Sequence, residues 1–296
     1  MRVGVTLPLA QDDTAEGRSP TFAETLAFGR HAEALGLDSV WVFDHLLFRA
    51  PGEPDEGIRE AWTTLAALAT VIPRVELGAL VMCASFRNPA LMAKMAATLD
   101  DLSGGRVILG LGAGWHEPEY DAFGYPFDHR VGRFAEDLEI TTRLVHRERV
   151  TFHGRWRQTT DAVLIPAPER DVPVLVAAKG PRMLELTARW ADAWNTAWFP
   201  GPDALLRARL AELDAACDAV GRDRSTIRRT VGLRLGDPGA GEDDETTLVA
   251  DADRLATAFD GLADLGVDDA IVWSLSKSMA SLDRIADARR RHLGER

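Results

Sequence analysis

Cysteine, tyrosine and positive charge are all scarce in this chain. Cys83 and Cys217 are its 2 cysteines, far apart and without Cys or His companions at metal-ligand spacing. That pattern excludes a disulfide framework and speaks against a zinc site; no metal is expected. Lys and Arg number 34 against 46 Asp and Glu, a net charge of −12, and no basic cluster offsets it. A phosphate-backbone partner is therefore not expected. Long hydrophobic runs are missing as well, because Asp, Arg or Glu interrupts every apolar stretch well short of the roughly eighteen residues that span a bilayer. The N-terminal MRVGVTLPLA is too short for a signal-peptide core and reads as a strand. The expectation is a cytoplasmic protein acting on a small molecule, with neither nucleic acid nor membrane as partner.

What is present is a regular alternation. Short apolar runs at 3–7, 39–43, 76–82, 106–111, 172–177, 193–196, 227–235 and 270–273 are each followed by an amphipathic stretch. Such a βα period predicts a parallel sheet. Helices are predicted over 22–35, 61–72, 89–102, 134–145, 183–190, 204–220, 251–265 and from Ser281 onward. Eight strands and eight helices fit a single (β/α)8 barrel over residues 1–296, with a doubly wound sheet as the alternative. Two stretches break the period: 149–168 reads as an inserted hairpin, and 236–247, rich in Gly, Asp and Glu, as a mobile loop.

In a barrel of this kind chemistry sits where strands end. Asp44 and His45 follow the second strand, a carboxylate beside an imidazole that suits proton transfer or a hydrogen bond to a cofactor ring. The fourth strand ends in Gly110, Gly112 and Gly114, then Trp115 and His116; alternate glycines would let a flat ligand approach the backbone. As a dinucleotide fingerprint the spacing is wrong. After the fifth strand, Ala178, Lys179, Gly180, Pro181 and Arg182 lead into a helix and form a natural phosphate cradle. Cys83, with no cation assured nearby, reads as a buried thiol.

Residues 34–45 (ALGLDSVWVFDH), 61–65 (AWTTL), 87–114, 115–123 and 178–195 together resemble the bacterial luciferase-like flavin and deazaflavin oxidoreductases, in particular the branch that uses coenzyme F420. The resemblance covers about residues 1–200. It implies a TIM barrel with the cofactor across its C-terminal mouth and a cis peptide at Leu80-Val81. It further implies that Asp44 and His45 meet the ring or act at its hydride-accepting carbon, that Gly112, Ala113, Gly114 and His116 line it, and that residues 178–182 bind the tail phosphate. Members acting on sugar phosphates carry a Glu proton donor where this chain has Trp115, which transfers no proton; His116 or Glu117 would have to substitute. The function implied is hydride transfer between reduced F420 and an organic substrate, by a homodimer. The alternatives are an FMN-dependent monooxygenase and a silent flavin-binding barrel. The substrate pocket is expected from 46–59, 149–168 and 195–202, the last with Trp198 and Phe199.

Overall fold

The computed structural model describes residues 1–14, 16–236, 247–248 and 251–295. Eight parallel strands form a closed ring: β1 (Arg2–Thr6), β2 (Ser39–Val42), β3 (Glu76–Ala79), β4 (Val107–Gly112), β5 (Val174–Ala177), β6 (Ala193–Phe199), β7 (Arg228–Leu235) and β8 (Asp269–Ser274). The ring closes where β8 pairs with β1, Val3 opposite Ala270. Pairing β6 with β7 and β7 with β8 leaves no open edge among them, so the doubly wound alternative is excluded. Two short strands, Met82–Cys83 and Thr247–Leu248, extend the sheet beside β4 and β7.

Helices α1 (Phe22–Ala34), α2 (Ala61–Ala69), α3 (Pro89–Ser103), α4 (Glu117–Phe123), α5 (Arg130–Val145), α6 (Pro181–Trp190), α7 (Ala204–Val220), α8 (Ala252–Asp264) and α9 (Met279–Leu293) pack around the strands. The strands are apolar on both faces because helices cover one and the barrel core the other; every residue of β4 is buried. Inside, Trp41 packs with Ile108, Leu175, Ala193 and Ile271. Room for its ring comes from Gly78, where a Cβ would lie 2.4 Å from the indole. At the N-terminal end, Arg228 pairs with buried Asp269 and with Glu76, closing the bottom with satisfied charge.

Three features bear on function. The third strand stops at Ala79, short of the expected end at 82; the Leu80–Val81 peptide is cis, as the resemblance implies, and extended pairing resumes at Met82. A further helix, α4, follows Trp115; a 7-residue helix begun by a proline is too short to show a period. The hairpin, Val150–His153 with Gln158–Ala162, is where it was expected, but none of its residues lines the two cavities at the barrel mouth. It is clamped to α5, where Glu136 accepts from the backbone N–H groups of Arg155, Trp156 and Arg157 at 2.7–2.9 Å. Most of the loop expected at 236–247 lies outside the described residues. No helix among the described residues is long and apolar enough to cross a membrane.

Candidate active site

Two cavities open at the C-terminal mouth, of 500 and 570 Å³, and His45 belongs to the wall of both. Its ring is fixed from behind. His45 Nδ1–H donates to Glu119 Oε1 at 3.0 Å, while Glu119 Oε2 accepts from the Leu46 N–H at 2.8 Å. Glu119 is 1% exposed and sits in the first turn of α4, so both of its oxygens are committed to holding the residues that follow β2. With Nδ1 engaged, Nε2 is the nitrogen left for a ligand. Phe48 and Trp115 flank the imidazole, with centroids 4.5 and 5.4 Å away.

Sequence reasoning missed Glu119. The signal was the proline at 118, a residue that favours the first turn of a helix, which here is the turn that carries Glu119. His116 and Glu117 were the stand-ins considered instead. Glu117 lines neither cavity, and His116 lines the 570 Å³ cavity but not the 500 Å³ one.

Asp44 plays a different part from its neighbour. Its buried carboxylate accepts from the Cys83 N–H at 2.9 Å and from both terminal nitrogens of Arg87, at 2.6 and 3.2 Å. Burial raises its pKa against the opposing pull of Arg87. Arg87 also reaches Glu60 at 2.6 Å, and Glu60 caps α2. Asp44 thus ties the end of β2 to the segment that follows the cis bond. Cys83 lies under the same floor, and burial pushes its thiol up to about 11, so it is no thiolate nucleophile.

The 500 Å³ cleft has an apolar floor of Leu80, Val81, Gly112, Ala113 and Gly114. The glycines there serve the chain itself before any ligand. A Cβ on Gly110 would lie 1.9 Å from the Ala79 carbonyl, and one on Gly112 would lie 2.6 Å from Val81. Gly114 has φ +76° and would press a Cβ to 1.8 Å from Tyr120 Oη. The alternate glycines therefore seat the Leu80-Val81 turn and Tyr120, and Gly112 and Gly114 also lie in the cleft's lining.

At the far end of the cleft stand Ala178, Lys179 and Arg130. Arg130 donates to the Gly114 carbonyl at 3.0 Å and covers the Phe127 ring. Loss of solvation, reinforced by Arg209, holds the Lys179 ammonium below its ordinary pKa. Gly180, at φ +78°, and Pro181 begin α6 behind Lys179, so that the free N–H groups of the first turn lie at this end. Arg182 does not join them; it is exposed and pairs with Glu185 at 3.5 Å. Arg130 is the cation that sequence reasoning missed, since nothing local marks a residue 16 positions from its acceptor. A flat ring with an anionic tail fits this cleft. Its wall also holds Thr196, whose Oγ1 is buried without a hydrogen-bond partner. Such an orphaned hydroxyl is what a polar ligand edge would satisfy.

The 570 Å³ cavity lies on the other side of His45, Leu80, Trp115 and Trp198. Residues 48–56 roof it, held by paired backbone hydrogen bonds between Phe48 and Glu56 and by the Arg49 N–H donating to His116 Nε2 at 3.1 Å. Of the three segments expected to build the pocket, 46–59 and 195–202 do so, whereas 149–168 does not and Phe199 is buried.

A parallel barrel with a flat cleft and a second chamber sharing one carboxylate-fixed histidine defines a cofactor-binding TIM-barrel class. A profile of the luciferase-like monooxygenase family matches residues 1–285, and the chain belongs to that family. It is 35% identical over 236 residues to an F420-dependent glucose-6-phosphate dehydrogenase of Kineococcus radiotolerans, covering 78% of this chain and 68% of that one. An F420-dependent hydroxymycolic acid dehydrogenase of Mycobacterium tuberculosis is 33% identical over 213 residues, 70% of this chain and 57% of its own length. Among solved structures, an F420-dependent secondary alcohol dehydrogenase in complex with an F420-acetone adduct superposes with TM-score 0.81 at 19% identity, covering 97% of both chains.

Proposed function

We propose that the chain is an F420-dependent oxidoreductase: the 500 Å³ cleft takes the deazaflavin and the 570 Å³ chamber its organic substrate. The observation that carries this reading is the shared wall, where His45 faces both cavities with Nδ1 held by Glu119. The F420 dependence of relatives at 33–36% identity supports the choice of cofactor. Bound F420 supplies the hydride chemistry. The chain's own residues do the rest. Leu80, Val81 and Ala113 give the ring an apolar bed, and Thr196 Oγ1 offers its unused bond to the ring edge. Lys179, Arg130 and the start of α6 hold the tail phosphate. His45 gives or takes the proton at Nε2, and the buried Glu119 keeps the ring aimed.

Asp44, although adjacent to His45, is a positioning residue in this reading, since its oxygens are spent on Arg87 and Cys83. Trp115 walls both cavities and provides contact without a proton. Oxygen dependence tests the assignment. With reduced F420 and a panel of ketones and imines, turnover under argon should equal turnover in air. A strict requirement for oxygen with reduced FMN would overturn it.

A further inference from the structure

Taking the 570 Å³ chamber as the substrate site, an assignment that rests on the function proposed above, we propose that it binds an organic cation: an amine or ammonium group on an apolar, ring-sized body. Two independent features of the wall lead there.

The first is its charge. Asp12, Asp13, Glu53 and Glu56 line the chamber, and Arg49 is the one cation among the described lining residues. Arg49 is already neutralised by Asp55, at 2.7 and 2.5 Å. Behind the wall, wholly buried Lys277 is bonded to Asp13 at 3.0 Å and to Thr6 at 3.1 Å, so that Asp13 is neutralised too. Asp12, Glu53 and Glu56 enter no ion pair among the described residues. Loss of solvation and the neighbouring Asp13 raise the pKa of Asp12, a cost that an incoming cation would relieve. His116 accepts from Arg49 N–H and so presents no positive charge. A phosphate or carboxylate entering here would meet Glu53 and Glu56, neither of them in an ion pair, and Asp12, which Lys277 offsets only from behind the wall, with no free cation on the lining.

The second feature is aromatic. Phe43, Phe48, Trp115, Trp198 and Trp273 contribute rings to the same wall. Two of these rings already lie near a cation of the protein: the Lys277 ammonium is 5.3 Å from Trp273 and 5.9 Å from Phe43, and the Arg234 guanidinium is 5.9 Å from Trp273. Rings and carboxylates around one chamber are the recognition chemistry of a quaternary or protonated amine. The cleft on the other side of His45 has the reverse character, with Lys179 and Arg130 as its free charges. The molecule thereby sorts an anionic cofactor tail from a cationic substrate across one shared wall.

The test is calorimetric titration of the purified protein, with and without F420, using benzyltrimethylammonium, phenylacetate and glucose 6-phosphate as probes. One ammonium should bind per chain, at least tenfold tighter than either anion. The double variant E53Q/E56Q should weaken the ammonium tenfold or more, and F48L several-fold, while F420 affinity stays within twofold. Anion binding as tight as ammonium binding, or ammonium affinity unchanged in E53Q/E56Q, would overturn the proposal. The F420 arm keeps the two readings apart. Ammonium binding without F420 binding would sink the cofactor assignment and leave the cation site standing; F420 binding without ammonium binding would do the opposite.

Discussion

In the proposed function His45 and Glu119 carry the chemistry at the scale of single residues, and they are separable by mutation. Removing the imidazole in His45→Ala removes the proton donor, and general acid–base catalysis contributes about 10²–10⁴-fold. Turnover should fall by that order while F420 affinity changes less than about threefold, because the cleft's floor and charged end stay intact. Glu119→Gln keeps a hydrogen-bond acceptor for Nδ1 and loses the charge behind it. We expect a drop in kcat of at least about tenfold with KM nearly unchanged. Steady-state kinetics on both variants checks the pair, and equal turnover in H45A would contradict the proton role. The neighbours show how far chemistry is legible in residue type alone. Asp44 and His45 are adjacent and both polar, yet Asp44 borders only the 500 Å³ cleft with its oxygens taken by Arg87 and Cys83, whereas His45 faces both cavities. That difference is made by Glu119 and Arg87, residues 74 and 43 positions away.

Elements explain most of what the sequence disclosed and most of what it hid. The eight barrel strands were legible because burial on two faces leaves continuous apolar runs, as in β4. The cis bond at Leu80-Val81 carries no periodicity of its own and was legible only through family resemblance. Helix α4 was hidden by its length, and with it the buried Glu119. At the start of α6, sequence spacing could not separate Lys179 from Arg182; the helix turns one toward the cleft and the other toward Glu185. Lys179→Ala should therefore weaken F420 by on the order of 1.5–3 kcal/mol, the worth of a charge-assisted hydrogen bond. Arg182→Glu should leave it within about twofold, and a fluorescence titration of both variants decides the matter.

The roof over the chamber has a pH dependence of its own. Arg49 N–H donates to His116 Nε2, which must then be unprotonated, and loss of solvation holds His116 below the ordinary histidine range. With the folded pKa depressed, the unfolded chain binds its proton first as pH falls, so stability rises with pH across this window. The bond is fully in place above about pH 6.5 and is lost as pH falls through the folded value. The protection of the Arg49 N–H against hydrogen exchange, taken relative to its intrinsic rate at each pH, should fall from about pH 7 to 5.5, and His116→Gln, which accepts without titrating, should flatten that profile.

The whole molecule is a closed barrel whose two ends do different work. Its bottom is sealed by Arg228 with Asp269 and Glu76, and Trp41 fills the middle. The proposed function places the chemistry at the mouth, where barrels of this kind carry it. There, one cleft carries uncompensated positive charge, the other chamber uncompensated negative charge, and a fixed histidine stands between them. The overall charge of −12 hid this polarity, because composition sums what the fold separates. The central claim is that the cleft is built for a deazaflavin. It is tested most directly by anaerobic titration of the purified protein with oxidised F420 and, separately, with FMN, following fluorescence quenching. The account predicts saturable binding of F420, one per chain, at least about tenfold tighter than FMN. FMN binding as tightly as F420, or neither binding, would contradict it.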